Sequence, residues 1–457
     1  MSRHSNDEVL ALSRRYLELI EGRELSLEEK HAFIAETVEA YERHVNRGFI
    51  GYRKSVTEAG QFAALEWSGQ GSILRDLLDR EYIDCLGGYG IFSSGVNHPK
   101  ILRAVACQMQ RMALNSQELL EPWRAGLARL LAMVTPGDLA NAFFINNGTD
   151  AIEGAIKLAR LYTRRNLFVS TLGGFHGKSM GSLSLMGKAS FREPFAGGLQ
   201  DVRFVPYGDA DALEAELAKA EQVGTPVAGF VVEPVQGEAG GVVPPEDYLP
   251  RARELCTEYG ALLIADEIQT GMGRTGALWG VDHTATVPDI MCLGKSIGGG
   301  VMPLSAFIAP PEIWEVMIPN PIIHSTTFGG NPMACAAGIA AIQVTLEEDL
   351  PGQAAAKGEF LLRELGTLQA KYPQVLTDIH GKGLLIGMEF PTDETGFRCA
   401  AGLFKRGVLV AGTYSKARTI RIEPALGIPM ELLNELLTRL EDTLCEVAKG
   451  ALGGKKA

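Results

Sequence analysis

ALLIADEIQTGMGRTG at 261–276 and PDIMCLGKSIGGG at 288–300 decide how this chain is read. Each opens with an apolar run of strand length, residues 261–265 and 289–293, and each run ends on a polar residue where an open α/β sheet places its site. One exit carries Asp266 and the other Lys295. An acid and an amine delivered by two buried strands suggest a site built around an electrophilic aldehyde.

Working outward, 457 residues correspond to roughly three domain-sized units, and 46% apolar residues with 53 glycines also suit one large α/β core with a smaller companion. A formal net charge of -12 disfavours a nucleic-acid binder, which needs a cationic face to displace counterions from phosphate. The seven cysteines are scattered, with no C-x-x-C pair, so neither a disulfide framework nor a thiolate metal site is indicated, and a reducing cytoplasm is the natural setting. The N-terminal apolar residues are broken by charge, and the longest apolar stretch, MACAAGIAAIQVTL, is too short to span a bilayer, so no membrane partner is expected.

Residues 8–20 and 26–46 read as amphipathic helices, the second with a capping box of Ser26 and Glu29 and apolar positions at Phe33, Ile34, Val38, Tyr41 and Val45. SILRDLLDREYIDCLGG then alternates like a hairpin, and Pro99 opens a helix. From about residue 140 the pattern is strand, turn, helix: NAFFI, then NNGTD, then AIEGAIKLARLY with Glu153 four residues before Lys157. NLFVS, VRFVP, AGFVV, ALLIA, DIMCL and LSAFIA continue it, which indicates a largely parallel seven-stranded sheet. After FGGNP at 328–332 long helices mix with GLLIGMEF, VLVAG and TIRIE, the last expected to turn Ile inward and Thr, Arg and Glu outward. The final helix is amphipathic, and the ALGGKKA tail is expected to fray.

GMGRTG at 271–276 matches G-x-G-x-x-G, but Asp266 and Glu267 precede it and little helical pattern follows, so it is read as a substrate-side loop rather than a dinucleotide site. HGKS at 176–179 resembles the end of a phosphate loop but has Leu172 where the first glycine belongs. The turn at Asn147, Gly148 and Thr149 is a better anion site, with free amides at a helix start and a hydroxyl nearby; an ordinary helix cap is the alternative. Taken singly, Lys295 reads as a solvated lysine and Asp266 as a structural cap. Together they are a chemical unit, because a lysine forms a Schiff base with an aldehyde while a carboxylate keeps a pyridine nitrogen protonated so that the ring accepts carbanion charge. That is pyridoxal phosphate chemistry. The eight histidines include no H-E-x-x-H or close pair, so no metal is expected, and no G-x-S-x-G elbow supports a serine hydrolase.

At this point the chain resembles the class III pyridoxal-phosphate aminotransferases over nearly its whole length. The resemblance is carried by DEIQTGMGRTG, the run from Asp289 to Gly300, FHG at 175–177 and TTFGGNP at 326–332. HVNRGFIGYRKSV, EYIDCLGGYGIF, NSQELL and VLVAGTYSKARTIRIEPAL further resemble that family's putrescine (diamine) branch. The resemblance implies a fold-type I α/β enzyme. Its parts would be an N-terminal helical arm and hairpin at 1–95 packing with the small domain, a large cofactor-binding domain at 96–335 and a smaller α+β domain at 336–457. It makes Lys295 the Schiff-base lysine and proton shuttle, with its free amine held below the usual lysine value by burial and the nearby cationic ring. Asp266 would bind the pyridinium nitrogen, Gln269 the phenolic oxygen and Phe175 the ring face, with His176 beside it. Gly148 and Thr149 would hold the phosphate, and Thr327 would reach it from the neighbouring subunit of a homodimer or dimer of dimers. The family usually has Ser-Gly-Thr-Glu at that turn, so Asn147 and Asp150 are departures; Asn147 could still cap the helix and donate from its amide. Arg421 would take the keto-acid carboxylate, Glu238 would pair with it when the donor lacks one, and Gln117 would line the donor pocket.

The activity so implied is ping-pong transfer of a terminal amino group from a diamine or ω-amino compound to 2-oxoglutarate or pyruvate. An acetylornithine, ornithine or 4-aminobutyrate aminotransferase is the nearest rival, a decarboxylase or aminomutase a further one, and a cofactor-binding regulatory protein without turnover a distant one.

Overall fold

A computed structural model describes residues 5–52, 63–413 and 416–453. The last four residues of the ALGGKKA tail, residues 53–56 of HVNRGFIGYRKSV and residues 414–415 of the VLVAGTYSKARTIRIEPAL run lie outside the described residues.

The chain forms two units, residues 1–68 with 74–81 and residues 69–73 with 82–457. In the first, helices Asn6–Ile20 and Leu27–Ala40 each start on a capping box, Ser5 with Glu8 and Ser26 with Glu29, so that side chains satisfy amides the helix leaves open. Ile34 and Val38 are buried with Ala63 and Leu77. Tyr41 and Val45, expected on the same face, are exposed instead. The helix widens to a π-type turn at Tyr41–Asn46, and the changed period rotates them off the stripe. Strands β1 (Glu66–Gln70) and β2 (Ile73–Asp76) follow, each divided between the two units, and β3 (Glu81–Asp84) belongs to the second unit from residue 82 on. The expected hairpin turn is closed by Asp76, whose backbone amide donates to the Arg80 carbonyl and whose carboxylate accepts from the amides of Leu78 and Arg80.

In the second unit, strands β4 (Asn141–Ile145), β5 (Leu167–Thr171), β6 (Val202–Val205), β7 (Val227–Val232), β8 (Leu262–Asp266), β9 (Ile290–Leu293) and β10 (Ser305–Ala309) build one sheet in the order β4-β10-β9-β8-β7-β5-β6. The sheet is mostly parallel; β10 runs antiparallel to both β9 and β4. Apolar clusters cover both faces, which is why the inner strands read as unbroken apolar runs. β8 and β9 lie side by side with Asp266 opposite Cys292, so the exits bearing Asp266 and Lys295 open together at one edge.

A second sheet, in the order β11-β12-β15-β14, comprises β11 (Asp378–Lys382), β12 (Leu385–Glu389), β14 (Ala411–Gly412) and β15 (Thr419–Ile422). The short β13 (Val408–Leu409) pairs instead with Ile83 and Asp84 of β3. The expected outward face of β15 is corrected here: Thr419, Arg421 and Glu423 are each 0% exposed, as buried as Ile420 and Ile422. Alternation of polar and apolar residues on this strand marks two buried faces, one apolar and one ionic. The closing helix, Met430–Gly453, turns Leu433, Leu436, Leu440 and Leu444 into the core at helical spacing, as its pattern predicts. Among the described residues no helix is long and apolar enough to cross a membrane.

Candidate active site

Asp266 ends β8 almost fully buried, and a bare carboxylate there would be costly. It is compensated by His176, whose Nδ1 lies 2.7 Å from Asp266 Oδ2, and by the Ile268 amide, which donates to Oδ1 at 3.1 Å. Burial pulls the His176 imidazole down, but the hydrogen bond and charge of Asp266 outweigh it, and the histidine is held above its ordinary value. His176, expected only to lie beside Phe175, thus touches Asp266 directly. Glu233, which follows β7, was not singled out from the sequence, although it obeys the same strand-exit rule as Asp266. Its carboxylate accepts from the amides of Phe175 and Gly237 at 2.9 and 3.0 Å, and burial, with the Asp266 charge adding and His176 opposing, pushes it up to about 7.

Lys295 begins a short 3-10 turn, Lys295–Gly298, with φ 47, a left-handed conformation that costs a non-glycine residue about 1–2 kcal/mol. Burial lowers its ammonium below the ordinary value against the raising influence of Glu423, Glu238 and Asp266, with Arg421 adding to the depression. A cavity of about 390 Å³ joins Lys295 to Ile91, Asn147, Gly148 and Ser305. Gly148 is the first residue of helix Gly148–Thr163, and a Cβ there would stand 2.8 Å from the Ile268 side chain, which would have to shift to admit it.

The phosphate turn differs in detail from expectation. Asn147 caps the helix by accepting from the Asp150 amide at 3.1 Å, but its own amide donates to the Asp150 carboxylate at 2.9 Å. The Thr149 hydroxyl is turned to Ser179 and Ser182, at 2.6 and 2.5 Å. What the turn can offer an anion is therefore backbone N–H and the positive end of the helix. The expected Glu153–Lys157 pair is not formed; Glu153 accepts from the Ser179 hydroxyl and the amides of Gly181 and Ser182, which converge on it from the next segment.

Gln269 donates from Nε2 to Glu423 Oε1 at 2.8 Å. Arg421 lies 2.8 Å from Glu238 Oε1 and 3.9 Å from Glu423 Oε2, and its three side-chain nitrogens, all buried, have no hydrogen-bond partner of good geometry among the described residues. GMGRTG is corrected from a substrate-side loop to a brace. Arg274, 0% exposed, donates to the carbonyls of Leu384 and Pro424 at 3.0 and 2.6 Å and to the Ser93 hydroxyl at 3.2 Å. Gln117 and Thr327 are not brought to the Lys295 cavity. Both are exposed, and Gln117 donates to the Thr327 carbonyl at 2.6 Å.

These residues fit pyridoxal phosphate. A buried acid sustained by a histidine suits a pyridinium nitrogen, a depressed amine suits the aldehyde, and a glycine-started helix suits the phosphate. The Ser305 hydroxyl, buried without a partner among the described residues, lines the same cavity and offers a polar group to the cofactor. Fold and site together define a fold-type I pyridoxal-phosphate transferase. Residues 57–444 match the family described as Aminotransferase class-III, and the chain belongs to it. Among solved structures it is similar to the ornithine aminotransferase of Toxoplasma gondii, 29% identical over 94% of this chain and 99% of that one, with a TM-score of 0.80. An amine transaminase from an uncultivated Pseudomonas species, solved with the cofactor bound, is 30% identical over 86% of this chain and 97% of that one (TM-score 0.79). The acetylornithine aminotransferase of Elizabethkingia anophelis is 30% identical over 90% and 99% (TM-score 0.75). The protein is a pyridoxal-phosphate-dependent transaminase, working between an amine donor and a keto acid.

Proposed function

We propose that the chain moves the terminal amino group of a diamine such as putrescine or cadaverine, or of an ω-amino compound, to 2-oxoglutarate or pyruvate in a ping-pong cycle. The observation that carries this reading is Arg421 buried against Glu238 at 2.8 Å. With the guanidinium neutralised, the site admits a donor that brings no carboxylate; with Glu238 withdrawn, the unused Arg421 donors suit a keto-acid carboxylate. Pyridoxal phosphate, when bound, supplies the aldehyde that takes up the amine and the ring that accepts carbanion charge. Lys295 is assigned the proton, taking it from the donor Cα at Nζ, for which a depressed amine is suited. Asp266, steadied by His176, would keep the ring nitrogen protonated; Gln269 would serve the phenolic oxygen; Phe175, its amide fixed by Glu233, would pack on the ring; and the Gly148 and Thr149 amides would hold the phosphate.

Thr327 and Gln117 are assigned to the neighbouring subunit's site. Both stand exposed in a region that also exposes Leu119, Leu120, Ile322 and Phe328, an apolar surface that suits a second copy of the chain. A rival reading, an ornithine or acetylornithine aminotransferase, is favoured by the solved structures named above. Donors decide between them. Addition of putrescine to the yellow holoenzyme is expected to replace the pyridoxal absorption band with that of the pyridoxamine form; conversion by ornithine or acetylornithine alone would favour the rival. No conversion by any amine would end the enzyme reading.

A further inference from the structure

Glu423 has no role in the scheme above, yet it is fully buried in the middle of the site. Its backbone amide donates to the Cys85 carbonyl at 2.8 Å, its Oε1 accepts from Gln269, and its Oε2, also buried, has no hydrogen-bond partner among the described residues. A Cβ on Gly90 would stand 2.7 Å from Glu423 Oε1 and 3.4 Å from Lys295 Cδ, so the carboxylate and the lysine stem share one small space. Arg421 faces two carboxylates, Glu238 at 2.8 Å and Glu423 at 3.9 Å. Glu423 is anchored on both sides of its Cα: its side chain is tied to Gln269, and the carbonyl of the next residue, Pro424, receives Arg274.

We infer that Glu423 is a specificity-determining residue, a fixed second counter-charge to Arg421 that biases this site toward amine donors without a carboxylate beside the reacting carbon. This rests on the transaminase reading and on exchange at the Arg421–Glu238 pair. Glu238 can be displaced when a substrate carboxylate arrives, whereas Glu423 cannot leave without breaking its bonds to the cofactor side of the site. The incoming carboxylate then meets a guanidinium still partly neutralised, and a nearby like charge in a low-dielectric pocket opposes it. A carboxylate-free amine meets no such opposition.

Glu423→Gln removes the charge and keeps the shape and the contact with Gln269. On the holoenzyme, two half reactions are followed separately by absorption: amine donor (putrescine) and α-amino acid (L-glutamate, the reverse of the acceptor step). Binding of glutarate, a dicarboxylate that cannot react, is measured by calorimetry. The expected result is a glutarate Kd lowered about tenfold and a glutamate-to-putrescine ratio of kcat/KM raised about tenfold, the scale of removing one close charge. In an Arg421→Ala background the same change should tighten glutarate by clearly less than it does beside an intact Arg421, because only the direct repulsion is then relieved. Should Glu423→Gln slow both half reactions alike with the glutarate Kd unchanged, Glu423 only positions Gln269 and the inference is wrong. Glu423→Leu, of similar volume, serves the same comparison if the Gln variant does not fold. Failure of the wild type to react with any amine overturns the function instead; normal wild-type turnover with an unmoved ratio overturns only the role of Glu423.

Discussion

His176, hydrogen-bonded to Asp266, and the nearby buried Glu233 carry protons that are linked to folding. Glu233 is raised from an ordinary 4.5 to about 7, and His176 is raised above 6.5. A group whose pKa is higher in the folded than in the unfolded state stabilises the fold fully below its unfolded value and loses that contribution as the pH rises through its folded value. For Glu233 the window runs from 4.5 to about 7; for His176 it begins at 6.5 and extends upward. The cofactor-free protein is therefore expected to lose stability from this site as the pH rises from about 4.5 through 7, by on the order of 3 kcal/mol from Glu233, with the His176 contribution lost further upward. Thermal melts of apoprotein across that range check it: Glu233→Gln should flatten the lower half of the slope, and an unchanged slope would remove Glu233 from the account. Asp266 and Lys295 were legible in the sequence because a parallel strand buried on both faces leaves a plain apolar run with its polar exit marked. The direction of the Thr149 hydroxyl and the partner of Glu153 were not, since both depend on the segment 176–182, which folds back from some thirty residues away.

At the level of elements, β15 misled the sequence reading for a physical reason. A strand alternating Ile with Thr, Arg and Glu has the pattern of a half-exposed edge, and only tertiary packing tells a solvated ionic face from a buried one. The clue lay in the other half of the network: Glu238 and Gln269, far apart in sequence, are both buried against that face. GMGRTG was misread for a similar reason, since glycine spacing describes a tight path and not what the path serves. Arg274 now gives a prediction at this scale. Arg274→Ala strips partners from two buried carbonyls and one hydroxyl and should cost about 3 kcal/mol or more in denaturant melts. It should also weaken the acceptor half reaction more than the donor half reaction, because the β15 end bearing Arg421 loses its tether. Equal loss in both would leave Arg274 a purely structural residue.

For the whole molecule, the proposal that Thr327 serves its neighbour's site has a direct readout. Lys295→Ala should lower turnover by about 10⁴-fold or more while cofactor still binds and cannot be reduced onto the chain. Mixing that variant with Thr327→Ala, unfolding and reassembling, gives hybrids in which, if Thr327 crosses between subunits, one site holds both lesions and the other holds neither. If Thr327 acts across subunits, activity should recover in the mixture, by up to one intact site per hybrid; if it acts within its own chain, none should. The Arg274 brace has a last consequence on the same scale. Asp266 and Arg274 stand on one continuous stretch of backbone, and Arg274 grips the strand that bears Arg421 only three residues before Pro424. The separation between Asp266 and Arg421, the groups proposed for the ring nitrogen and for a substrate carboxylate, is thus set like the jaws of a caliper. Its span, held by the Arg274 guanidinium together with the Gln269–Glu423 bond, is a dimension that a mutation at Arg274, outside the pocket, could reset.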